Sequence, residues 1–281
     1  MDVSFSYVIK RELSEINNLA KKEEVKYELL GYLASDNIIK EKRQTKYSTE
    51  SEYNINRFAK LLKNVNINNF KIDIQGKVYN ITLKNSDIEN INLNCEIQTL
   101  SEENIKAFMR GLYLGSGSIN NPNNKYHLEI KIPDNNLIQD IIQTLEKYNI
   151  NLKSIDRSIY IKEGEEISKF LAFIGAGKSV LDFEEVRVQR EMNNKVNRLV
   201  NCKTANLNKT LNASIEQINA IKKLKESGKF NDISKDLQEI SEIRLEYPDV
   251  PLSELGKLLN RPIGKSGVNY RMKKIIELSK N

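Results

Sequence analysis

Histidine is almost missing from this chain, and so are the other residues from which a soft-metal site is built. His127 is the only histidine among 281 residues, and Cys95 and Cys202 are the only cysteines. The two cysteines lie far apart and neither belongs to a CxxC pair. Zinc sites and disulfide frameworks need more ligands at tighter spacing, so both are read as reduced cytosolic thiols. A lone histidine in a strand more often packs or hydrogen-bonds than binds a metal, and neither a metal nor a cofactor is expected. No run approaches the ~18 apolar residues that a membrane-spanning helix needs. The start, Met1-Asp2-Val3-Ser4-Phe5, lacks the charged and apolar stretches of a secretion signal. With 39% hydrophobic residues, a sizeable core is possible, and the length suits two or three domains of ~100–200 residues.

The net charge of +6 says little, but its distribution says more. Arg187, Arg190, Lys195, Arg198, Lys203 and Lys209 fall in one stretch that holds a single acid, Glu191. Lys257, Arg261, Lys265, Arg271, Lys273, Lys274 and Lys280 fall between Pro251 and Asn281 against Glu254 and Glu277. Each stretch is therefore +5 and the remainder of the chain −4. Basic charge gathered in two short stretches on an acidic body is the pattern of a polyanion binder. A merely solvated face would not explain why acids avoid the same stretches.

The first two-thirds reads as a duplication. The spacing of Val25, Leu29, Tyr32 and Leu33 predicts a helix over Lys22–Ser35. Strands are expected near Asn37–Lys42 and Lys46–Glu52, then a helix Tyr53–Lys63. Phe70–Ile74 and Val78–Leu83 flank Gln75-Gly76 as a hairpin. The order then repeats. Ser101 is a good N-cap, with Glu102 and Glu103 suited to the positive helix end, for a helix reaching about Leu114. A hairpin ending in Tyr126–Ile132 follows, then a helix Asn135–Tyr148, a hairpin across Asp156-Arg157-Ser158 and a helix Glu165–Ile174. The shared order is α-β-β-α-β-β, with a closing helix clear only in the second copy. One such unit cannot cover both faces of its sheet, so two units packed by their first helices are expected.

Glu185 to Leu211 is polar and Asn-rich, with Val188, Met192, Val196 and Leu199 spaced as in a connecting helix. Helices are then expected over Asn212–Glu226, Ser234–Glu246, Leu252–Leu259 and Lys265–Leu278. In the last pair Leu252, Leu255 and Leu259 face a core, and Pro262 and Gly264 break the chain into a sharp turn. Val268, Met272 and Ile275 form the buried stripe of the final helix. Lys265, Ser266, Asn269, Tyr270, Lys273 and Lys274 are left outward. A helix-turn-helix reads base edges with the N-terminal part of its second helix. Ser and Asn there suit bases, while Lys and Arg, including Arg271, suit phosphates.

Leu29-Leu-Gly-Tyr-Leu-Ala-Ser-Asp-Asn37 and Met109-Arg-Gly-Leu-Tyr-Leu-Gly-Ser-Gly117 resemble the LAGLIDADG motif of homing endonucleases. Gly31, Gly111 and Gly115 would let two helix backbones approach closely. In the active enzymes the eighth motif position gives one metal-binding acid per helix, and two-metal cleavage needs both. Here those positions are Asp36 and Ser116, and a hydroxyl does not replace a carboxylate toward a hard cation. Asp36 is read as a turn residue at a helix end.

Three stretches together resemble the WhiA family. They are Arg110-Gly-Leu-Tyr-Leu-Gly-Ser-Gly-Ser-Ile-Asn-Asn-Pro with Tyr126-His-Leu-Glu-Ile, then Val196–Thr210, then Lys265-Ser-Gly-Val-Asn-Tyr-Arg-Met-Lys-Lys. The resemblance implies an α+β chain: a degenerate, duplicated αββαββα LAGLIDADG-like domain joined to an all-α helix-turn-helix domain. The division is 1–100 and 101–184 for the repeats, 185–211 for a basic Asn-rich linker and 212–281 for the helix-turn-helix domain. It also implies roles in sporulation gene control in actinobacteria, and in cell division and chromosome segregation in low-GC Gram-positive bacteria. The Asn, Ile and Lys bias fits the second group. Asp36 departs from the many members with a neutral residue there, which leaves room for a metal contact. The expectation is a non-catalytic, nucleoid-associated cytoplasmic protein. It binds double-stranded DNA and regulates transcription, and its LAGLIDADG-like body meets a regulatory protein partner. An active endonuclease and an interaction scaffold stand as alternatives.

Overall fold

A computed structural model describes residues 4–89 and 96–280. Cys95 and Asn281 lie outside the described residues, and Cys202 is free and exposed. The chain divides into two units, Met1–Glu191 and Met192–Asn281.

The first unit is built twice over on one plan. After α1 (Phe5–Ser14) come α2 (Lys22–Leu33), β1 (Ile38–Lys40), β2 (Gln44–Thr49), α3 (Glu52–Asn64), β3 (Phe70–Gln75), β4 (Val78–Lys84) and a short α4 (Asn85–Glu89). The second copy runs α5 (Glu102–Ser116), β5 (Gly117–Ile119), β6 (Leu128–Lys131), α6 (Asn135–Glu146), β7 (Lys153–Ile155), β8 (Ser158–Ile161) and the closing α7 (Gly164–Ile174). Both sheets are antiparallel with the same order, β1-β2-β4-β3 and β5-β6-β8-β7. Register follows the alternation in the sequence. Tyr47 pairs with Ile81 and Ile130 with Ile159, so the apolar members of each strand share the helix-covered face. Gly76, in the left-handed region at φ 62°, turns the β3–β4 hairpin.

α2 and α5 cross with their backbones almost in contact. A Cβ on Gly31 would lie 2.0 Å from the Phe108 carbonyl oxygen, and one on Gly111 1.9 Å from that of Glu28. The expected packing of the two copies by their first helices is what the fold uses. Ser101 caps α5 by accepting the Asn104 amide. Around the crossing a single core gathers residues of both copies, with Leu29, Tyr32, Phe58, Met109, Leu112 and Phe170 buried.

α1 was not foreseen. It is capped by Ser4 and buries only Ile9, Leu13 and Ser14, too short a stripe to stand out. Its Glu12 accepts the amides of Lys178 and Ser179, at 2.8 and 2.9 Å, at the start of the next helix. Its Lys10 pairs with no acid among the described residues, and burial pulls that ammonium down to about 8. Burial pushes the Tyr32, Tyr47 and Tyr113 hydroxyls the other way, above their ordinary range. Above pH ~8 the folded form has shed a Lys10 proton that the unfolded chain still holds, so stability rises with pH. Above pH ~10 the unfolded chain loses tyrosine protons that the folded form keeps, and stability falls. Melting temperatures across pH 7–11 should therefore peak between these limits; a monotonic fall from neutrality would contradict the Lys10 assignment.

α8 (Gly177–Glu226) is one helix of 50 residues. No break occurs at 184/185 or at 211/212, where the sequence reading placed the ends of a linker. After Gly177 the stretch contains neither glycine nor proline, and asparagine only weakly disfavours helix. In the second unit α8 is followed by α9 (Lys235–Glu246), α10 (Leu252–Leu255) and α11 (Lys265–Lys280). Their core comprises Ile221, Leu224, Leu237, Ile240, Leu255, Leu259, Val268, Met272 and Ile275. α10 is a single turn, shorter than the expected Leu252–Leu259. After it Lys257 and Leu258 bond three residues back, to Glu254 and Leu255, so the chain tightens into turns before Asn260.

Candidate nucleic-acid interface

Burial of Val268, Met272, Ile275 and Ser279 fixes how α11 is rotated. At 3.6 residues per turn this sends Lys265, Ser266, Asn269, Tyr270, Lys273 and Lys274 to the other side. All six are exposed, Tyr270 by 67%. The same face carries no acid until Glu277, which is exposed one turn beyond Lys273. A surface of three ammonium groups, an amide, a hydroxyl and a phenol can neutralise phosphates and offer donors and acceptors to base edges.

Arg271 is placed differently. It lies at the edge of the buried stripe, and its Nη2 donates to Asp236 Oδ2 at 2.9 Å, with its side chain only 20% exposed. The guanidinium ties α11 to α9 and helps to set the rotation of the row.

The second basic stretch is split by its contacts. Arg187 donates to Glu184 at 2.8 Å and reaches Glu191 at 3.5 Å. Donating to the Glu184 carboxylate raises its already high pKa further. Arg190 donates to the carbonyls of Pro122 and Asn124, at 2.5 and 2.6 Å, and stacks 4.6 Å above the Tyr126 ring. Arg190 thus holds the β5–β6 loop, while Arg187 is paired within α8. Lys195, Arg198, Lys203 and Lys209 are exposed instead, within a run of α8 where every residue from 191 to 209 is exposed. Among the described residues these four make no ion pair.

The two motif ends meet at one atom. Ser116 Oγ donates to the Lys131 carbonyl at 2.6 Å, and the Asp36 amide to the same oxygen at 3.3 Å. Asn37 Nδ2 joins the copies at Gly115 O, 2.7 Å away. Asp36 is an exposed turn residue after α2, as expected. Among the described residues no group of three or more His, Cys, Asp or Glu side chains is placed to hold a metal.

Counting charge missed the residues that are charged and buried. Glu28, Arg57, Arg110 and Arg244 all lie at 6% exposure or less. Arg244 carried a signal: it follows Leu237, Ile240 and Ser241 at helical spacing, on a stripe that should be apolar.

Comparison with known proteins covers both units. The family model described as the WhiA LAGLIDADG-like domain matches residues 105–193. The model described as the WhiA C-terminal HTH domain matches residues 196–279. A Clostridium botulinum protein named "Probable cell division protein WhiA" is 46% identical over 178 residues, 62% of this chain and 56% of the relative. The chain thus spans little more than half the length of that relative. The crystal structure of full-length WhiA from Thermatoga maritima aligns with a TM-score of 0.63 and 29% identity, over 99% of this chain and 98% of that one. The N-terminal LAGLIDADG domain of WhiA aligns with a TM-score of 0.54 and 28% identity, over 62% of this chain and 94% of that one.

Proposed function

This chain belongs to the WhiA family, and from that membership we propose that it is a non-catalytic DNA-binding protein acting in cell division. The observation that carries the reading is the exposed row Lys265, Ser266, Asn269, Tyr270, Lys273 and Lys274 on α11, which reaches Lys274 before the first acid of its face, Glu277. The segment 212–281 reads DNA, and α11 is its recognition helix. Lys195, Arg198, Lys203 and Lys209 add phosphate contacts that carry no sequence information. Arg187, Arg190 and Arg271 hold the framework rather than the ligand. Roles in chromosome segregation and transcription, on the nucleoid, follow from a protein that sits on the chromosome. The LAGLIDADG-like body serves as a surface for a regulatory protein partner. With Ser116 at one of its two acid positions, it does not cut DNA.

Titration of the full chain on genome-derived duplex fragments and on random duplex, over a range of salt, tests this. Log affinity should fall linearly with log salt. Lys265→Ala should weaken both duplexes and make the slope shallower by about 1, as for one lost phosphate contact. Asn269→Ala should leave the slope alone and cost roughly 1–3 kcal/mol of discrimination between them. If neither change alters binding, α11 is not the reading helix.

A further inference from the structure

Inside the second unit, beside the start of α11, lies a cavity of about 200 Å³ whose polar lining includes Lys209, Ser214, Gln217, Arg244, Ser253 and Lys265. No acidic side chain lines it. Lys209 and Lys265 are exposed, so by themselves they would say little. Arg244 says more. Its side chain is 1% exposed, and its Nη1 donates to the carbonyls of Tyr247, Pro248 and Val250 at 3.3, 3.2 and 2.8 Å. Nε is buried with no acceptor. Among the described residues no carboxylate pairs with the guanidinium, and burial alone lowers its pKa. Gln217 is also buried, and its Oε1 has no donor.

Buried arginines are ordinarily matched by an acid, because an uncompensated guanidinium in a low-dielectric wall is costly. Three carbonyl dipoles offset part of this charge, and the rest is directed at the cavity and its two lysines. Lys265 is also the first residue of α11, a helix of 16 residues, so the positive end of that helix points the same way. Turning the Gln217 amide over preserves its shape and exchanges the orphaned oxygen for an NH2 donor. A cavity with this lining lacks one thing, an anion with several acceptor oxygens.

We propose that this cavity is a phosphate-binding site, and that it seats one backbone phosphate of the bound DNA. The second clause rests on the DNA-binding reading above; the first does not. A seated phosphate would fix the start of α11 against the strand and would supply the counter-charge that Arg244 lacks.

Two arms separate the sources of phosphate, both with full-length protein and its Gln217→Glu variant. That substitution keeps the side-chain shape and places a carboxylate in the lining that Gln217 shares with Arg244. In the first arm, inorganic phosphate is added at constant ionic strength against chloride. The wild type should melt higher with phosphate. The variant should melt higher without it and respond to it no further. In the second arm, duplexes carry one neutral methylphosphonate linkage, moved stepwise along each strand. One linkage should weaken wild-type binding about tenfold and leave binding by Gln217→Glu unchanged.

A phosphate response that Gln217→Glu abolishes, without such a linkage, supports the site but assigns it to a free phosphorylated ligand, overturning the DNA clause. No response in either arm, from a wild type that binds DNA, overturns the proposal and leaves the DNA reading standing. A wild type that binds no DNA overturns that reading, and the melting arm alone then decides whether the cavity takes phosphate.

Discussion

Replacing Glu28 by alanine is expected to cost about 3–5 kcal/mol, the scale on which removing one partner strands a buried charge. Glu28 is fully buried between three helices. Its Oε1 accepts from Arg57 Nε at 2.7 Å, and its Oε2 from Arg57 Nη2 at 2.9 Å and Arg110 Nε at 3.0 Å. Asn18 adds a donor at 3.3 Å and itself accepts from Arg57. With the carboxylate gone, Arg57 at 2% exposure keeps only neutral acceptors, Ile16 O and Asn18 Oδ1, and Arg110 at 6% keeps Ile174 O and a long 3.9 Å ion pair with Glu24. Packing does not explain the cost. Replacing all three charged residues by apolar side chains of similar volume should be close to neutral, because the desolvation of the ions disappears with their attraction. Hydrogen exchange at the amides of α2 and α5 measures both variants without interference from the C-terminal unit. A loss below ~1 kcal/mol for Glu28→Ala would place the pair with weak surface ion pairs instead.

Gly111→Ala should have an effect at least as large, from a different cause. In helix interiors alanine is favoured over glycine by about 1 kcal/mol. Here the added methyl would sit 1.9 Å from the Glu28 carbonyl oxygen and 2.8 Å from its carbon. Both atoms are backbone of a packed helix, so neither can swing aside. The crossing must open, and the core contacts on both sides loosen with it. Overpacking of a yielding core costs about 1–3 kcal/mol, and this crossing yields less than a side chain would. The expected outcome is a chain that melts many degrees lower or fails to accumulate in soluble form. A variant that melts within a few degrees of the parent would show that the crossing is softer than its geometry states.

That crossing was legible in the sequence because close backbone approach admits only one residue type, and Gly31 and Gly111 occupy matching places 80 residues apart. Strand register was legible for a similar reason: alternation leaves one choice of face. The rotation of α11 followed from Val268, Met272 and Ile275. Partnership was not legible. Asp236 is 35 positions from Arg271, and the Pro122 and Asn124 carbonyls are 68 and 66 positions from Arg190, so a count of local charge marks both arginines as free. The continuity of α8 was hidden too. Its middle buries nothing, and sequence patterns announce helices mainly by what they bury. Arg57 reads as surface charge until its surroundings are known, although it is among the largest fully buried side chains; for Arg244, equally buried, only its place on an apolar stripe gives a hint.

The Lys131 carbonyl, where Ser116 and the Asp36 amide both end, limits what position 116 can hold. A carbonyl oxygen accepts donors and repels other acceptors. A carboxylate put back at position 116 would face that oxygen with no proton to give it. Restoring one acid would therefore break a hydrogen bond before it could offer a ligand to any cation, and the strand end would have to shift as well. Position 116 is thus tied to a hydroxyl by the strand end it holds, and change is far easier on the exposed surfaces around it than at this point.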